Sequence, residues 1–158
     1  MKSKAVAILL ASMCLAVAVT AFASEQSAVG TWKLNVQKSS YGTMAAPKFE
    51  ELIITTDKAD RLEWKLRGAS SDGKTYMSSY NGQIDGKYHP LLDSMGNGTI
   101  AYKREGSNVS WTVKNNTGAV IETGRSQLSA DGKTLTLSGT SEGPKGKTNF
   151  SSAFERVQ

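Results

Sequence analysis

Apolar and polar residues alternate with a period of two along most of the chain. In residues 61–67, 108–114 and 134–138, every second side chain is apolar and its neighbours are polar or charged. Successive side chains of a β-strand point to opposite faces, so this pattern predicts strands with one buried and one solvated face. Such strands are typical of antiparallel sheets.

Short polar turns separate these strands. They fall at residues 57–60, 70–73, 85–86, 105–108, 115–118 and 130–132. Their Asp-Gly and Asn/Gly pairs supply the positive φ angles that tight hairpins need, and no amphipathic helical segment lies between them. The chain is therefore predicted to be all-β, an antiparallel up-and-down meander of about eight to ten strands. Pairing of the first strand with the last would remove both exposed edges, so we expect a closed barrel.

The first 23 residues have the three parts of a secretory signal peptide. Lys2 and Lys4 precede an apolar run at residues 5–19, and Ala21 and Ala23 provide the small residues before a cleavage site. The apolar run is shorter than the roughly 20 residues that span a bilayer, so no integral membrane span is expected. Cleavage after Ala23 would leave residues 24–158 as a single secreted or periplasmic domain. The alternative is an uncleaved N-terminal anchor.

Charge and composition narrow the function classes. Without Lys2 and Lys4 the chain keeps 17 basic and 14 acidic residues, spread singly and without a basic block, so nucleic acid is not an expected partner. Cys14 lies in the predicted signal and His89 is the single histidine, which argues against thiolate and His-rich metal sites. We expect no cofactor, no metal and a monomer.

No catalytic constellation is evident. The single histidine, His89, stands beside Pro90 with no nucleophile nearby. Glu50 and Glu51 are neighbours on opposite faces of a strand, not a facing acid–base pair. We therefore assign no catalytic residues, and an enzyme is not the expected function.

The start and end of the predicted domain carry a family resemblance. Gly30-Thr31-Trp32-Lys33-Leu34 resembles the opening of the fatty-acid-binding proteins, and its Gly-x-Trp is similar to that of the calycins in general. Residues 29–41 also resemble small secreted bacterial proteins described as lipocalin-like. The resemblance implies a barrel in which Trp32 plugs one end and Arg156, from the last strand, packs across its ring as a cation–π contact.

The chain departs from the fatty-acid-binding proteins in two places. Residues 37–48 are too short for their two-helix lid, and residues 152–154 read Ser-Ala-Phe where those proteins hold a carboxylate with Arg-x-Tyr. Arg125 is the remaining candidate for an inward cation. Alternation leaves two phases open: Ile121 and Arg125 point inward together, or Val120 and Leu128 do and Arg125 lies in solvent.

Two functional hypotheses follow. In the first, the barrel binds a small apolar or amphipathic ligand in its interior. The candidate ligand-binding residues are large inward side chains and the one cation: Trp64, Tyr76, Tyr80, Tyr102, Trp111, Arg125, Phe150 and Phe154. In the second, these side chains fill a solid barrel whose loops at residues 88–98 or 139–146 contact a protein or a component of the cell envelope. The volume of the interior distinguishes the two.

Overall fold

The computed structural model describes residues 26–94, 96–143 and 145–157. The predicted signal peptide, residues 1–23, lies outside these ranges. Within them, no helix has the length and hydrophobicity needed to cross a membrane.

Ten strands make up the described chain. They are β1 (Gly30–Leu34), β2 (Phe49–Asp57), β3 (Arg61–Ala69), β4 (Thr75–Gln83), β5 (Tyr88–Asp93), β6 (Gly98–Glu105), β7 (Asn108–Lys114), β8 (Val120–Leu128), β9 (Thr134–Gly143) and β10 (Gly146–Arg156). A single turn of 3-10 helix, Val36–Lys38, follows β1 and is capped by Asn35, which accepts a hydrogen bond from the Lys38 amide. The alternation read from the sequence therefore corresponds to real strands.

Each strand pairs antiparallel with the next, and β1 pairs with β10 to close the barrel. The prediction of an all-β, up-and-down antiparallel barrel is confirmed, with the strand number at the upper end of the expected range. Odd-numbered strands run toward one end of the barrel and even-numbered strands run back. The starts of β2 and β8 and the ends of β5 and β9 consequently meet at one end, called the mouth from here on.

The opposite end is closed around Trp32. This side chain is fully buried, and its Nε1 donates to the Ala28 carbonyl oxygen at 2.9 Å. The Arg156 guanidinium lies 4.2 Å from the centre of the Trp32 ring, and Arg156 and Trp32 are register partners across β10 and β1. A Cβ at Gly30 would lie 2.6 Å from Nη1 of Arg156, so only glycine leaves room for the arginine. The contact between Trp32 and Arg156 therefore closes this end of the barrel and also joins β1 to β10.

A bulge in β8 sets which side chains face inward near the mouth. Val113 pairs with Glu122, but the next residue of β7, Lys114, pairs with Val120, so Ile121 is an extra residue. As a result Ile121 and Glu122 both line the interior, while Val120 is exposed.

The seam between β4 and β5 is the shortest in the barrel. Among the described residues, only Ser78 with Asp93 and Ser79 with Leu92 are in register there. Closer to the plugged end, the described residues of the two strands are joined by side chains and not by backbone pairing. There the Tyr80 ring packs edge-on against the His89 ring, with 6.5 Å between the ring centroids. The Tyr80 hydroxyl donates to the Gln83 carbonyl oxygen at 2.7 Å.

Candidate functional site

The barrel encloses a cavity of about 590 Å³ that runs from the plugged end to the mouth. Its wall is mostly apolar in surface area. The aliphatic lining residues are Leu52, Ile54, Leu62, Leu66, Leu91, Ile100, Val109, Val113, Ile121, Leu128, Leu135 and Leu137. The volume lies within the range of about 300 to 1,000 Å³ that is usual for small-molecule sites. Side chains therefore do not fill the interior, as the solid-barrel hypothesis would require.

The loop between β1 and β2 contributes to the mouth. Ser40 forms an isolated bridge with Ser151 of β10, and the Thr43 amide donates to Thr148 Oγ1 at 2.9 Å. These bonds hold the loop against β10 and bring Met44 into the cavity wall. The loop between β1 and β2 thus forms part of the cavity wall at the mouth.

Glu50 and Tyr76 form a polar pair across three strands near the mouth. The Tyr76 hydroxyl donates to Glu50 Oε1 at 2.5 Å. The residue between them in the register is Gly68, and a Cβ there would lie 2.7 Å from the Tyr76 hydroxyl oxygen. Glycine therefore lets the tyrosine ring cross β3. Burial raises the pKa of the Glu50 carboxyl, although the hydrogen bond from Tyr76 partly offsets this.

Glu122 and Trp111 form the second polar pair. Trp111 Nε1 donates to Glu122 Oε1 at 2.8 Å. The Trp111 ring lies over Gly124, its register partner on β8, where any Cβ would overlap the ring. Burial raises the pKa of the Glu122 carboxyl, the Trp111 bond opposes that shift, and the charges of Glu50 and Asp93 add to it. The Glu122 carboxyl thus lies within electrostatic reach of Glu50 and Asp93 at the mouth.

Deeper in the cavity, Trp64 on β3 contacts Tyr102 on β6. Trp64 Nε1 donates to the Tyr102 hydroxyl at 2.9 Å. Burial raises the pKa of Tyr102, so this phenol stays protonated at neutral pH. Together with Tyr76 and Trp111, these two residues are the aromatic side chains that line the cavity in the described part of the chain.

The charged lining of the cavity is entirely acidic. Among the described residues it contains Glu50, Asp57, Asp93, Glu122 and Glu142, and no Lys, Arg or His. Asp57 forms an ion pair with Arg104 near the plugged end. The Oε1 atom of Glu142 lies 3.6 Å from Nζ of Lys147. Within the described ranges, neither Glu50 nor Glu122 forms an ion pair. No group of three or more His, Cys, Asp and Glu side chains in that part of the chain is placed to hold a metal.

Arg125 does not face the cavity. It is exposed on the outer surface of β8, where it borders a shallow groove of about 660 Å³ and lies between its register partners Ser110 and Ser138. Glu122, Ser126 and Leu128 take the inward phase instead. Arg125 is therefore wrong as a candidate ligand-binding residue. Of the two phases left open, the second is correct in that Leu128 faces inward and Arg125 lies in solvent. Val120 is nevertheless exposed, because the bulge after it lets Ile121 face inward instead.

The aromatic candidates divide into two groups. Trp64, Tyr76, Tyr102 and Trp111 line the cavity, whereas Tyr80, Phe150 and Phe154 do not. Phe154 is 1% exposed and packs in the core near the plugged end, opposite Leu34 and Leu135. Tyr80, 2% exposed, packs at the β4–β5 seam, and Phe150 is half-buried on β10 opposite Gly139.

Sequence reasoning missed Glu50 and Glu122. The inward position of Glu50 could have been predicted from strand alternation. Glu50 is two residues before Leu52 and four before Ile54, and both of these face inward. Glu122 shares the phase of Ser126 and Leu128. The sequence analysis rejected Glu50 and Glu51 as a catalytic pair but did not ask whether one of them is buried. Glu50 faces the cavity, whereas Glu51 faces outward and forms an ion pair with Arg67 at 2.7 Å.

Comparison with solved structures finds the same fold. Zebrafish ileal bile acid-binding protein, solved in complex with cholic acid, matches with a TM-score of 0.54 and 14% identity over 83% of this chain and 100% of that one. Rv2717c from M. tuberculosis matches with a TM-score of 0.52 and 14% identity over 82% of this chain and 92% of that one. No family model matches the sequence, and no curated protein does. The likeness confirms the predicted calycin-like fold.

Proposed function

We propose that this calycin-like barrel binds a small apolar or amphipathic molecule in its interior. The observation that carries the proposal is the cavity of about 590 Å³, with aliphatic and aromatic walls and two hydrogen-bonded carboxyl groups near its mouth. Apolar walls with a few placed polar groups are the usual composition of a small-molecule site. The zebrafish neighbour, which was solved with cholic acid, lends support at the level of the fold.

Two adjacent leucines on β5 provide a matched test. Leu91 lines the cavity and is 8% exposed, whereas Leu92 is 62% exposed on the outer face. The neutral fluorescent probe N-phenylnaphthylamine is titrated into wild type, Leu91→Trp and Leu92→Trp. We expect Leu91→Trp to bind the probe more weakly because the larger side chain occupies cavity volume, and Leu92→Trp to behave as wild type. Equal binding by all three folded proteins, or none by wild type, would contradict the proposal.

We also propose that the protein is exported and that its signal is cleaved after Ala23. The support is the basic, apolar and small-residue order of residues 1–23. Expression of the full chain in a bacterial host should give a periplasmic or secreted product whose mass begins at Ser24. Ala23→Leu should block processing, while Ala18→Leu, within the apolar run, should leave it intact. A full-length cytoplasmic product from the unaltered chain would refute export.

A monomer is the proposed state in solution. In the described part of the chain the ten strands form one closed barrel, so none of them lies at the edge of an open sheet. Sedimentation at increasing concentrations should give one species with the mass of a single chain, and a dimer at the lowest concentration would refute this.

A further inference from the structure

We infer that the ligand carries an ammonium-type cation, and that the cavity disfavours carboxylates. This inference rests on the proposed function, because it names the chemical class of the molecule that the interior would accept. It is carried by the charges of the wall and by the contacts of Glu50 and Glu122.

The wall holds five carboxyl groups and, among the described residues, no cationic side chain. Two of the five already have a cationic partner, Asp57 with Arg104 and Glu142 with Lys147, whereas Glu50 and Glu122 have none among the described residues. Neither of the two arginines discussed in the sequence analysis, Arg125 and Arg156, lines the cavity. Arg125 lies on the outer surface, and Arg156 lies over Trp32 with hydrogen bonds to Gly132, Val29 and Ser27 carbonyl oxygens. An anionic head group would therefore lose its hydration without gaining a counter-ion, and nearby carboxylates would repel it.

Glu50 and Glu122 have acceptor capacity to spare. Tyr76 and Trp111 each donate one hydrogen bond, and each reaches the Oε1 atom of its partner. A carboxylate accepts several hydrogen bonds, so the second oxygen of each group can take a donor from the ligand. An ammonium group has three such donors and also neutralises the buried charge, which makes the resulting hydrogen bonds charge-assisted.

The aromatic side chains favour the same class of ligand. Both carboxyl groups are bonded to an aromatic side chain, Tyr76 or Trp111, whose ring also lines the cavity. Aromatic faces attract cations through their quadrupole, and the attraction is larger where water is excluded. The aliphatic residues deeper in the barrel would contact the apolar part of the molecule. The cavity thus suits a cation at the mouth and a hydrocarbon body below it.

The test compares three ten-carbon molecules that differ only in the polar group: decylamine, decanol and decanoate. At about pH 8 an alkylamine is protonated, as a lysine side chain is. Calorimetric titration should show decylamine binding at least about tenfold more tightly than decanol, since a hydrogen bond to a charged group contributes more than about 1.4 kcal/mol. Decanoate should bind most weakly of the three.

The variants Glu50→Gln and Glu122→Gln keep an acceptor for Tyr76 and Trp111 but remove the charge. Each should lower the affinity for decylamine by about tenfold and leave that for decanol unchanged. Glu51→Gln is the matched control, because it removes the same charge from the neighbouring position on the outer face, and it should change neither affinity.

The possible outcomes separate this inference from the proposed function. Binding of decanol and N-phenylnaphthylamine without a preference for decylamine would overturn the ammonium inference and leave the ligand-binding proposal standing. A preference for decanoate would do the same. Failure of all three ligands and of the neutral probe to bind would overturn both proposals.

Discussion

At the residue scale, Trp32 does more than fill space. Its ring is buried, its indole nitrogen is bonded to the segment before β1, and Arg156 covers its outer face. The segment before β1, β1 itself and the end of β10 therefore meet on one side chain. Loss of that side chain removes packing at the point where the barrel closes.

Replacing Trp32 with Ala is expected to lower the free energy of unfolding by about 3 to 5 kcal/mol, the range for a buried aromatic ring lost from a core. Urea denaturation followed by circular dichroism measures the change. Met77→Ala, at a side chain that is 65% exposed, serves as the control and should stay within experimental error of wild type. An unchanged midpoint for Trp32→Ala would show that the ring does not hold the closed end.

Glu122 is expected to destabilise the fold when it is ionised. Burial raises its pKa above the ordinary value of 4.5, so the folded state binds its proton more tightly than the unfolded state does. The stabilising contribution of the protonated group is complete below 4.5 and is lost as the pH rises through the folded-state value. Asp93 and Glu50 add to the shift, whereas the bond from Trp111 opposes it.

Glu122→Gln should consequently unfold at a higher temperature than wild type at neutral pH, and the difference should shrink as the pH falls toward 4.5. Thermal melts at a series of pH values measure this. Glu105→Gln, at an exposed position at the end of β6, controls for the general loss of a negative charge. A difference that widens as the solution is acidified would contradict the assignment of Glu122 as a buried carboxyl with a raised pKa.

At the scale of the strand, glycines position the polar groups of the cavity. Trp111 reaches Glu122 because its ring lies over Gly124 on β8. The same arrangement recurs on β3, where Gly68 lets Tyr76 reach Glu50. Glycine generally weakens a strand, but at these two positions it leaves the space that an aromatic ring needs beside the backbone.

Gly124→Ala is expected to displace the Trp111 ring and to cost about 1 to 3 kcal/mol, as overpacking does in other cores. The added methyl group would also lie 2.9 Å from the Ser138 carbonyl oxygen, which cannot move away easily. Chemical denaturation measures the loss, and tryptophan emission should shift because the indole leaves Glu122. Thr123→Ala, on the exposed face of the same strand, should cause neither change.

The sequence predicts the strands well because burial on one face forces alternation, as in residues 61–67 and 108–114. Which of the two alternating sets of residues faces inward is harder to predict where polar residues occupy inward positions. In β8 a bulge at Ile121 leaves apolar residues in both phases, so alternation alone could not decide whether Glu122 or Arg125 faces inward. The roles of Tyr80 and Phe154 depend on where along the barrel each residue lies. That position depends on pairing between strands and is not visible in a single strand.

At the scale of the molecule, the seam between β4 and β5 is expected to be the part of the wall that opens most readily. It has two register pairs among the described residues, whereas β9 and β10 share ten. Amide hydrogen exchange should therefore be faster in β4 and β5 than in β9 and β10, because opening there breaks fewer hydrogen bonds. Mass spectrometry of proteolytic peptides measures this, and slower exchange in β4 and β5 would contradict it.

Opening of that seam changes what the molecule presents to its neighbours. A closed barrel has no edge strands, but a barrel parted between β4 and β5 is a curved sheet with two of them. The backbone groups that β4 and β5 would then expose match each other in any two opened copies, so an exchange of strands between chains becomes possible. Tyr80 and His89 pack against each other where the described residues of the seam have no register pairs, so their contact opposes this opening.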